Sequence, residues 1–372
     1  MKIAFIIYDY NYGGGAQKTA SLAQHLQLLG HSVKIIVIRC RDGENEKNTR
    51  PNHFSNILDL DSNGFLSSIL KLKKIFDNSQ YDVYISIGGV SNLFSGLAKF
   101  LSRGKFTLIG SENFAKSVFI GDFPKFYFRL LWPFFKLAYT QLNGLLFVAE
   151  RLKIEFLKKN SWHSSRCITI HNPIRSIKKN FSQNNNKENN SGFTFLGVGI
   201  LEHRKRFDLL IKAFSNVGDK KDKLLIAGEG SLESDLKKLV KKLGLESKVH
   251  FLGYVSDIEA IMKKSDILVL TSNSEAFGMV LVEGLSAGLQ VVSTNSFSGP
   301  AEILGNGLYG HLAEVDNLNS IISSMRSAKN SPIPAEIIQE GVLRFQIDNI
   351  TNKYLEFITL VMKSDGNLFK KI

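Results

Sequence analysis

The first 38 residues read MKIAFIIYDYNYGGGAQKTASLAQHLQLLGHSVKIIVI, and this stretch decides the fold class. The apolar run from Ile3 to Tyr8 predicts a buried strand, and the glycines at 13–15 predict a turn. Apolar residues then recur at helical spacing from Ala16 to Leu29 and end at Gly30, a typical helix stop. Val33 to Ile38 is a second apolar run. Strand, glycine turn, helix and strand in this order predict a βαβ unit with parallel strands.

The same alternation continues along the rest of the chain. Helices are predicted at Phe207–Phe214 and Leu232–Leu243. Further strands are predicted at Val83–Ile87, Phe106–Ile109, Leu145–Val148, Phe193–Val198, Lys223–Ala227, Val249–Leu252, Ile267–Leu270 and Gln290–Ser293. Such alternation predicts an α/β protein of two Rossmann-like, doubly wound domains, each with a mostly parallel sheet covered on both faces. Ligands of open α/β sheets bind at the carboxyl ends of the strands, so the cleft between two such domains is the predicted site.

The predicted domain boundaries follow from composition. Residues 1–172 form an N-terminal domain, 173–192 a linker, and 193–345 a C-terminal domain. The linker contains KKNFSQNNNKENN at 178–190, which is polar and of low complexity. Residues 346–372 are predicted to form a C-terminal helix, because apolar residues recur at helical spacing from Phe345 to Phe369. His171-Asn172-Pro173 is predicted to be a hinge, and Asn-Pro is also a common turn signal.

Composition indicates a globular protein and limits its partners. The sequence of 372 residues contains two cysteines, and they do not have zinc-ligand spacing, so we expect no structural metal. With so few cysteines a disulfide framework is not expected, and the protein is expected to reside in a reducing cytosol. Residues 1–10 are interpreted as a buried strand rather than a signal peptide, and the sequence has no uninterrupted apolar run long enough to span a membrane. The formal net charge of +13 favours polyanions. No nucleic-acid-binding module is recognisable, and composition alone leaves anionic lipid and phosphorylated substrates open as partners. A negatively charged membrane surface suits the charge well.

The segment SNSEAFGMVLVEGLSAGLQVVSTNSFSGPAEI, residues 272–303, carries the chemistry. It follows a predicted strand, and a helix is predicted to begin near Gly278. A helix that begins there presents free N–H groups and the positive end of its dipole, which suits a diphosphate. Glu275 precedes the helix and could reach a sugar, whereas Glu283 could accept hydrogen bonds from ribose hydroxyls. The alternative is that both glutamates are solvated helix-end residues.

Several segments in the same order resemble the family 4 glycosyltransferases, which have the GT-B fold. They are the GGG turn with LAQHLQLLGHSV, SEN at 111–113, HNP at 171–173, VGILEHRKRFDLLIKAF at 198–214, IAGEG at 226–230, VHFLGYV at 249–255, and the two glutamates eight residues apart with GPAEI at 299–303. The resemblance extends over most of the chain. It implies two Rossmann-like domains that face each other across a cleft, and a retaining transfer of sugar from a nucleotide donor. It also implies that the helix at 346–372 crosses back to the N-terminal domain.

The resemblance also implies roles for individual residues. Glu275 and Lys205 match the catalytic residues, near the donor sugar and the donor diphosphate respectively. The implied donor-binding residues are Glu283 at the ribose, Phe277, Gly278, Met279 and Val280 around the sugar and diphosphate, Gly14 and Gly15 of the N-terminal turn, and Arg204, Gly253 and Tyr254. No metal or cofactor is expected.

Two positions depart from the family pattern. Ile200 stands where relatives usually have an arginine that assists the leaving group, and Arg204 or Arg206 could compensate, although the RKR run could also be a solvated helix start. Glu112 and Asn113 stand where relatives often have a histidine, so both are predicted to lie near sugar or acceptor, with a loop cap as the alternative. Glu112 is given no proton-transfer role, because retaining relatives look as if the departing phosphate acts as the base.

Residues 118–147 are dense in aromatic residues interleaved with cations, among them Lys125, Arg129, Trp132, Phe134 and Lys136. Such a composition suits an interfacial element on anionic lipid, and Pro133 is expected to interrupt any helix there. The alternative is an ordinary amphipathic helix that packs on the N-terminal domain.

Taken together, these features predict a glycosyltransferase that moves sugar from a UDP-sugar to a lipid-linked glycan acceptor in surface-polysaccharide assembly of the O-antigen or capsule type. The enzyme is expected to be cytoplasmic and peripheral on the inner face of the membrane. The alternatives are an epimerase or phosphorylase of the same architecture and a non-catalytic sugar-nucleotide-binding protein. A dinucleotide-dependent oxidoreductase is disfavoured, because GGGAQK does not spell GxGxxG and the second strand is followed by Arg39-Cys40-Arg41.

Overall fold

The computed structural model describes residues 1–9, 14–39, 56–78, 80–113, 125–159, 166–174, 192–275 and 277–363. The chain divides into two compact units. The first unit comprises Met1–Arg175 and Gln346–Ile372, and the second comprises Ser176–Phe345. The predicted α/β class is confirmed, because each unit contains a parallel sheet with helices between its strands. The predicted cleft stays a prediction, and most of the predicted linker lies outside the described residues.

The first unit is built on a seven-stranded sheet in the order β3-β2-β1-β4-β5-β6-β7, whose neighbouring strands all pair in parallel. Its strands are β1 Lys2–Ile7, β2 Ser32–Val37, β3 Ile57–Asp59, β4 Val83–Ile87, β5 Thr107–Glu112, β6 Gly144–Phe147 and β7 Cys167–Thr169. The strand order reverses between β1 and β4, and a Rossmann-like sheet places ligands at the carboxyl ends of the strands at such a point.

The helices of the first unit cover both faces of this sheet. They are α1 Gly14–Leu28, α2 Phe65–Asp77, α3 Gly89–Leu101, α4 Lys125–Thr140 and α5 Glu150–Lys159. On one face Val83, Ile85 and Ile109 share a core with α1. On the other face the Phe76 ring of α2 packs on Tyr84 with centroids 4.8 Å apart. Helices α3 and α4 lie on that second face and approach closely, since a Cβ on Gly96 would lie 2.3 Å from the Ala138 carbonyl oxygen.

The expectation that Pro133 interrupts the helix is wrong. Helix α4 continues from Lys125 to Thr140 with Pro133 inside it. A proline within a helix removes one backbone hydrogen bond and crowds the carbonyl four residues earlier. The burial of Ala138 and Tyr139 in the following turn, together with the close packing on α3, offsets that cost.

The second unit is built on a six-stranded parallel sheet in the order β10-β9-β8-β11-β12-β13. Its strands are β8 Thr194–Val198, β9 Lys223–Ala227, β10 Val249–Gly253, β11 Ile267–Leu270, β12 Gln290–Thr294 and β13 His311–Ala313. Its helices are α6 Phe207–Val217, α7 Glu233–Lys242, α8 Ile258–Lys263, α9 Met279–Ser286, α10 Gly299–Ile303, α11 Leu318–Asn330 and α12 Ala335–Leu343. Here the strand order reverses between β8 and β11, the central pair.

The last helix, α13 Ile347–Lys363, belongs to the first unit. Tyr354, Phe357 and Ile358 join the core that β1, β2 and α1 form. The sequence has a glycine at 144, and a Cβ there would lie 2.8 Å from the Phe357 ring, so the small residue makes room for the helix. At the start of α13, Asp348 pairs with His25 of α1 over 3.0 Å. The chain thus completes the first unit only after it has passed through the second.

Candidate active site

Three of the predicted site residues of the second unit, Arg204, Lys205 and Glu275, lie in the two segments that follow β8 and β11. These are the strands between which the strand order reverses, so their carboxyl ends leave the sheet side by side. The backbone holds the two loops together, because the Asn273 N–H donates to the Arg204 carbonyl oxygen over 3.0 Å. The Thr271 hydroxyl adds a second link, since its Oγ1 lies 2.9 Å from the Arg206 carbonyl oxygen. Residues about 70 positions apart in the chain are thereby fixed against each other.

Lys205 and Glu275 form an ion pair between these loops. Lys205 Nζ donates to Glu275 Oε1, and the Ser272 hydroxyl donates to the same oxygen over 2.7 Å. The Lys205 and Glu275 side chains are only 12% and 9% exposed. Water therefore screens the pair weakly, and each charge depends on the other for stability. With these exposures Glu275 is not a solvated helix-end residue, and Lys205 is not a solvated residue of a basic helix start.

Arg204 lies at the same place and Arg206 does not. Arg204 Nη1 donates to the Ser274 carbonyl oxygen over 3.0 Å and lies 3.8 Å from Glu275 Oε2. Arg206 points elsewhere, because Asp208 and Asp316 both accept hydrogen bonds from its guanidinium. Of the two candidates for the missing arginine, only Arg204 is adjacent to the ion pair. The Ile200 side chain, at the position of that arginine, is half exposed.

Helix α9 begins where the sequence predicts it. Gly278 precedes Met279 with φ at +94°, a conformation that side chains disfavour, and no side chain caps the helix start. Phe277 is buried and packs edge-on against Phe345 with ring centroids 5.9 Å apart. Gly299 allows this fit, because a Cβ there would lie 1.7 Å from the Phe277 carbonyl oxygen. The Leu281 N–H donates to the Gly278 carbonyl oxygen over 2.9 Å, so the N–H groups at the helix start that a ligand could meet are those of Met279 and Val280.

Glu283 lies on the second turn of α9. Burial raises the pKa of its carboxyl above the ordinary value. The folded protein therefore holds a proton there more readily than the unfolded chain does, so the stability that this group contributes falls as the pH rises through the window between the two pKa values. An ionised Glu283 is costly to the free protein, and this is typical of a group that is retained for binding.

Gly253 and Tyr254 lie at the carboxyl end of β10. Gly253 has φ at +64°, and its carbonyl accepts the Gly228 N–H over 2.8 Å. The Tyr254 N–H donates to Glu229 Oε1 over 3.1 Å. The Tyr254 side chain is 70% exposed. An exposed tyrosine at the end of a strand is available to a flat ligand group.

In the first unit, Gly14 and Gly15 are the first residues of α1, and Glu112 and Asn113 mark the end of β5. The loop-cap interpretation does not hold for Glu112, because it pairs with Phe147 of β6 as part of the sheet. Glu112 is buried and accepts hydrogen bonds from the Tyr139 hydroxyl and, over 2.8 Å, from Asn92 Nδ2. Burial raises the pKa of Glu112 to about 7, against the opposing effect of these donors.

Sequence reasoning missed four residues of this first cluster: Lys18, Asn92, Tyr139 and Asn172. Lys18 is buried and donates to Asn113 Oδ1 over 3.0 Å and to Asn172 Oδ1 over 2.6 Å. The only available signal for Lys18 was a cation on the first turns of an otherwise apolar helix face. Asn172 was attributed to a hinge, and nothing in the pattern pointed to its contact with Lys18.

Within the described residues, no group of three or more histidine, cysteine, aspartate or glutamate side chains is placed to hold a metal ion. The helices described here also include none that is both long and apolar enough to cross a bilayer.

Two family models match consecutive parts of the chain. Residues 12–176 match Glycosyltransferase Family 4, and residues 178–342 match Glycosyl transferases group 1. The chain belongs to the group 1 glycosyltransferases. It is therefore a transferase, and the resemblance drawn from its motifs is confirmed.

Relatives of this glycosyltransferase agree with that assignment. It is 29% identical over 348 residues to the Campylobacter jejuni N-acetylgalactosamine-N,N'-diacetylbacillosaminyl-diphospho-undecaprenol 4-alpha-N-acetylgalactosaminyltransferase, a match that covers 88% of this chain and 89% of the relative. Its fold is similar to that of the lipopolysaccharide outer core galactosyltransferase WaaB, with a TM-score of 0.78 at 20% identity over 97% of this chain and 99% of the other. Anabaena HepE, solved in complex with UDP and glucose, also gives a TM-score of 0.78, at 18% identity over 97% of this chain and all of the other. The GT-B fold is thus confirmed.

Proposed function

We propose that this glycosyltransferase transfers a sugar from UDP-sugar to a hydroxyl of a lipid-linked glycan, with retention of anomeric configuration, in bacterial surface-polysaccharide assembly. The observation that carries the proposal is the buried Lys205–Glu275 pair beside the uncapped start of α9. Cationic, anionic and N–H groups meet there at the carboxyl edge of the second sheet. A donor offers complementary groups, namely a diphosphate, a sugar with several hydroxyls and a ribose. UDP is favoured because HepE binds it.

In the proposed complex the diphosphate lies against the α9 N–H groups and Lys205, with Arg204 nearby. Gly14 and Gly15 are also proposed to bind the donor, as the resemblance implies. Glu275 accepts hydrogen bonds from the sugar hydroxyls, the backbone from Phe277 to Val280 encloses the sugar, and Glu283 accepts from the ribose. Gly253 and the exposed Tyr254 are assigned to the uracil end.

The proposed reaction breaks the bond between the anomeric carbon and the diphosphate oxygen. The acceptor oxygen bonds to the same face of that carbon, and its proton passes to the departing diphosphate oxygen. Negative charge grows on the diphosphate as the bond breaks, so a fixed ammonium beside it lowers the barrier. Lys205 is already held in place by Glu275 before the donor binds, so little reorganisation is needed.

A panel of UDP-, GDP- and ADP-sugars tests the proposal. Each is titrated calorimetrically into the protein, and transfer to a synthetic polyprenyl-diphosphate glycan is then assayed with the best binder. We expect UDP-sugars to bind most tightly, and the product to keep the anomeric configuration of the donor. Binding of none of the panel, or an inverted product, would refute the proposed chemistry.

Glu283→Gln should weaken donor binding and stabilise the free protein. Loss of a charged acceptor at the ribose is expected to raise the donor Kd about tenfold. The same change removes a carboxylate whose burial disfavours its charge, so Tm at pH 7 should rise and its decline toward high pH should lessen. Calorimetric titration measures the donor Kd. Thermal unfolding between about pH 5 and pH 8 measures Tm and its dependence on pH. If the variant binds the donor with unchanged affinity, Glu283 does not contact the donor.

The proposed acceptor places the protein at the cytoplasmic face of a membrane, as a peripheral protein. The name of the Campylobacter relative includes diphospho-undecaprenol, a lipid carrier. On the described part of α4, Trp132, Phe134 and Lys136 are exposed, and the net charge is +13. Exposed aromatic residues beside cations suit the headgroup region of anionic lipid.

Liposome flotation tests this membrane surface. We expect Trp132→Ala combined with Lys136→Glu to reduce binding to phosphatidylglycerol vesicles severalfold, because an aromatic anchor and a cation are lost. Lys353→Glu, an equal charge change at an exposed site on α13, is the control, since α13 covers the opposite face of the first sheet. If the wild type and the two variants float with the vesicles equally, or if the wild type does not bind the vesicles, this part of α4 is not a membrane-binding surface.

A further inference from the structure

Lys18 is a buried cation near the start of α1. It is 8% exposed, and burial lowers the pKa of its ammonium to about 7. Its ammonium donates hydrogen bonds to two neutral amide oxygens, those of Asn113 and Asn172. Among the described residues, no carboxylate lies within ion-pair distance of Lys18 Nζ. Burial of an amine at such a place costs free energy that an apolar side chain would avoid, so a purely structural role explains it poorly.

The contacts of Lys18 fix the orientation of the Asn113 amide. Asn113 Oδ1 accepts from Lys18 Nζ and lies 3.4 Å from the Ser111 hydroxyl, which also donates toward it. An amide has its oxygen and its NH₂ group on opposite branches, so an oxygen held between two donors directs Nδ2 the other way. Asn172 is buried, whereas Asn113 is partly exposed. Asn113 is therefore the amide whose N–H groups a ligand can reach.

The neighbouring Glu112 does not offer the same capacity. One of its carboxylate oxygens already accepts from both Tyr139 and Asn92, and the side chain is buried. At the end of β5, an oriented N–H donor is thus supplied by Asn113 and not by the acid beside it. Sugars present hydroxyl oxygens that accept from such a donor.

We propose that Lys18 is a positioning residue, which holds Asn113 so that Asn113 Nδ2 donates a hydrogen bond to a sugar hydroxyl during transfer. This inference rests on the proposed function and adds to it a residue of the first unit. Lys18 itself does not touch the sugar. It acts through the Asn113 amide, and Asn172 anchors the same ammonium from the segment that follows β7.

Asn113→Asp is the sharpest test. The aspartate keeps an acceptor oxygen for Lys18 and gains an ion pair with it, so the folded protein should be at least as stable as the wild type. It removes the Nδ2–H donor, and we expect kcat to fall about 10- to 100-fold. Affinity for UDP-sugar should stay within about twofold, since the proposed donor contacts lie chiefly in the second unit. An aspartate variant that transfers sugar at the wild-type rate would overturn the inference.

Lys18→Met and Lys99→Met form a matched pair. Lys99 is also partly buried, burial lowers its pKa to about 8, and it donates to the side chain of Asn143. Both variants replace an amine that burial disfavours with an apolar side chain, but only Lys18→Met should lower kcat. In the Asn113→Ala background, Lys18→Met should cause little further loss, because both changes remove the same donor. Equal kcat for the two methionine variants, or losses that multiply in the double variant, would contradict action through Asn113.

Donor titration separates this inference from the proposed function. If the wild type neither binds UDP-sugar nor transfers it, the proposed function fails and the inference fails with it. If the wild type binds and transfers while Asn113→Asp behaves as the wild type, the inference alone fails.

Discussion

Glu275→Ala is expected to lower kcat by about 10²–10³-fold. This loss and the similar loss expected for Lys205→Met are the largest that we expect from any single substitution. The carboxylate is proposed to bind the sugar hydroxyls, and it also holds Lys205 in place. Its removal takes away an acceptor at the sugar and leaves an ammonium buried without its partner. Transfer assays at saturating donor measure kcat, and calorimetric titration measures the donor Kd.

Loss of activity must be separated from loss of stability, because breaking a buried ion pair costs about 3–5 kcal/mol. Asp222→Ala is the control, since Asp222 pairs with Lys329 over 2.6 Å and is buried in the same unit. Both variants should unfold at lower urea concentration, but Asp222→Ala should keep wild-type kcat while folded. Glu275→Gln preserves the shape of the side chain and should fail in transfer while it unfolds closer to the wild type. If Glu275→Gln transfers sugar at the wild-type rate, the assigned role of Glu275 is wrong.

The sequence predicted the features of this site that local pattern determines. Strands Val83–Ile87, Lys223–Ala227 and Ile267–Leu270 are confirmed to the residue, because continuous apolar runs mark buried parallel strands. The start of α9 after Gly278 could be predicted for a similar reason, since glycine at a positive φ and the following apolar run are local signals. Short edge strands such as β3 and β13 were missed, because three residues carry too little pattern.

Contacts between distant segments could not be predicted in this way. Lys205 lies in a single 3-10 turn, His203–Lys205, and only the resemblance to a family singled it out. The contacts of Lys18 span 95 and 154 residues of chain, so no periodicity reports them. The Tyr139–Glu112 contact likewise depends on how α4 packs beside β5. These side chains meet because parallel strands bring their carboxyl ends to one edge of a sheet, which fixes neighbours that the chain separates.

Lys205→Met is expected to lower kcat by a similar factor, about 10²–10³-fold, with a smaller effect on donor Kd. In the proposed reaction, charge on the diphosphate grows as the bond to the sugar breaks, so the ammonium stabilises the transition state more than the bound donor. Arg204 is the only other cation that the structure places beside Glu275 among the described residues, and it is already bonded to Ser274 and Glu202. Arg204 should therefore not replace Lys205, and Lys205→Arg should recover activity only in part.

A double variant distinguishes the catalytic role of Lys205 from its part in folding. Lys205→Met alone leaves Glu275 buried without its cation, whereas Lys205→Met with Glu275→Gln removes both charges and should regain much of the lost stability. Activity should not return with it, because the diphosphate still lacks its cation. Urea denaturation and single-turnover transfer, measured on the wild type and the three variants, give both quantities. If turnover recovers together with stability in the double variant, then Lys205 serves the fold and the leaving group is stabilised elsewhere.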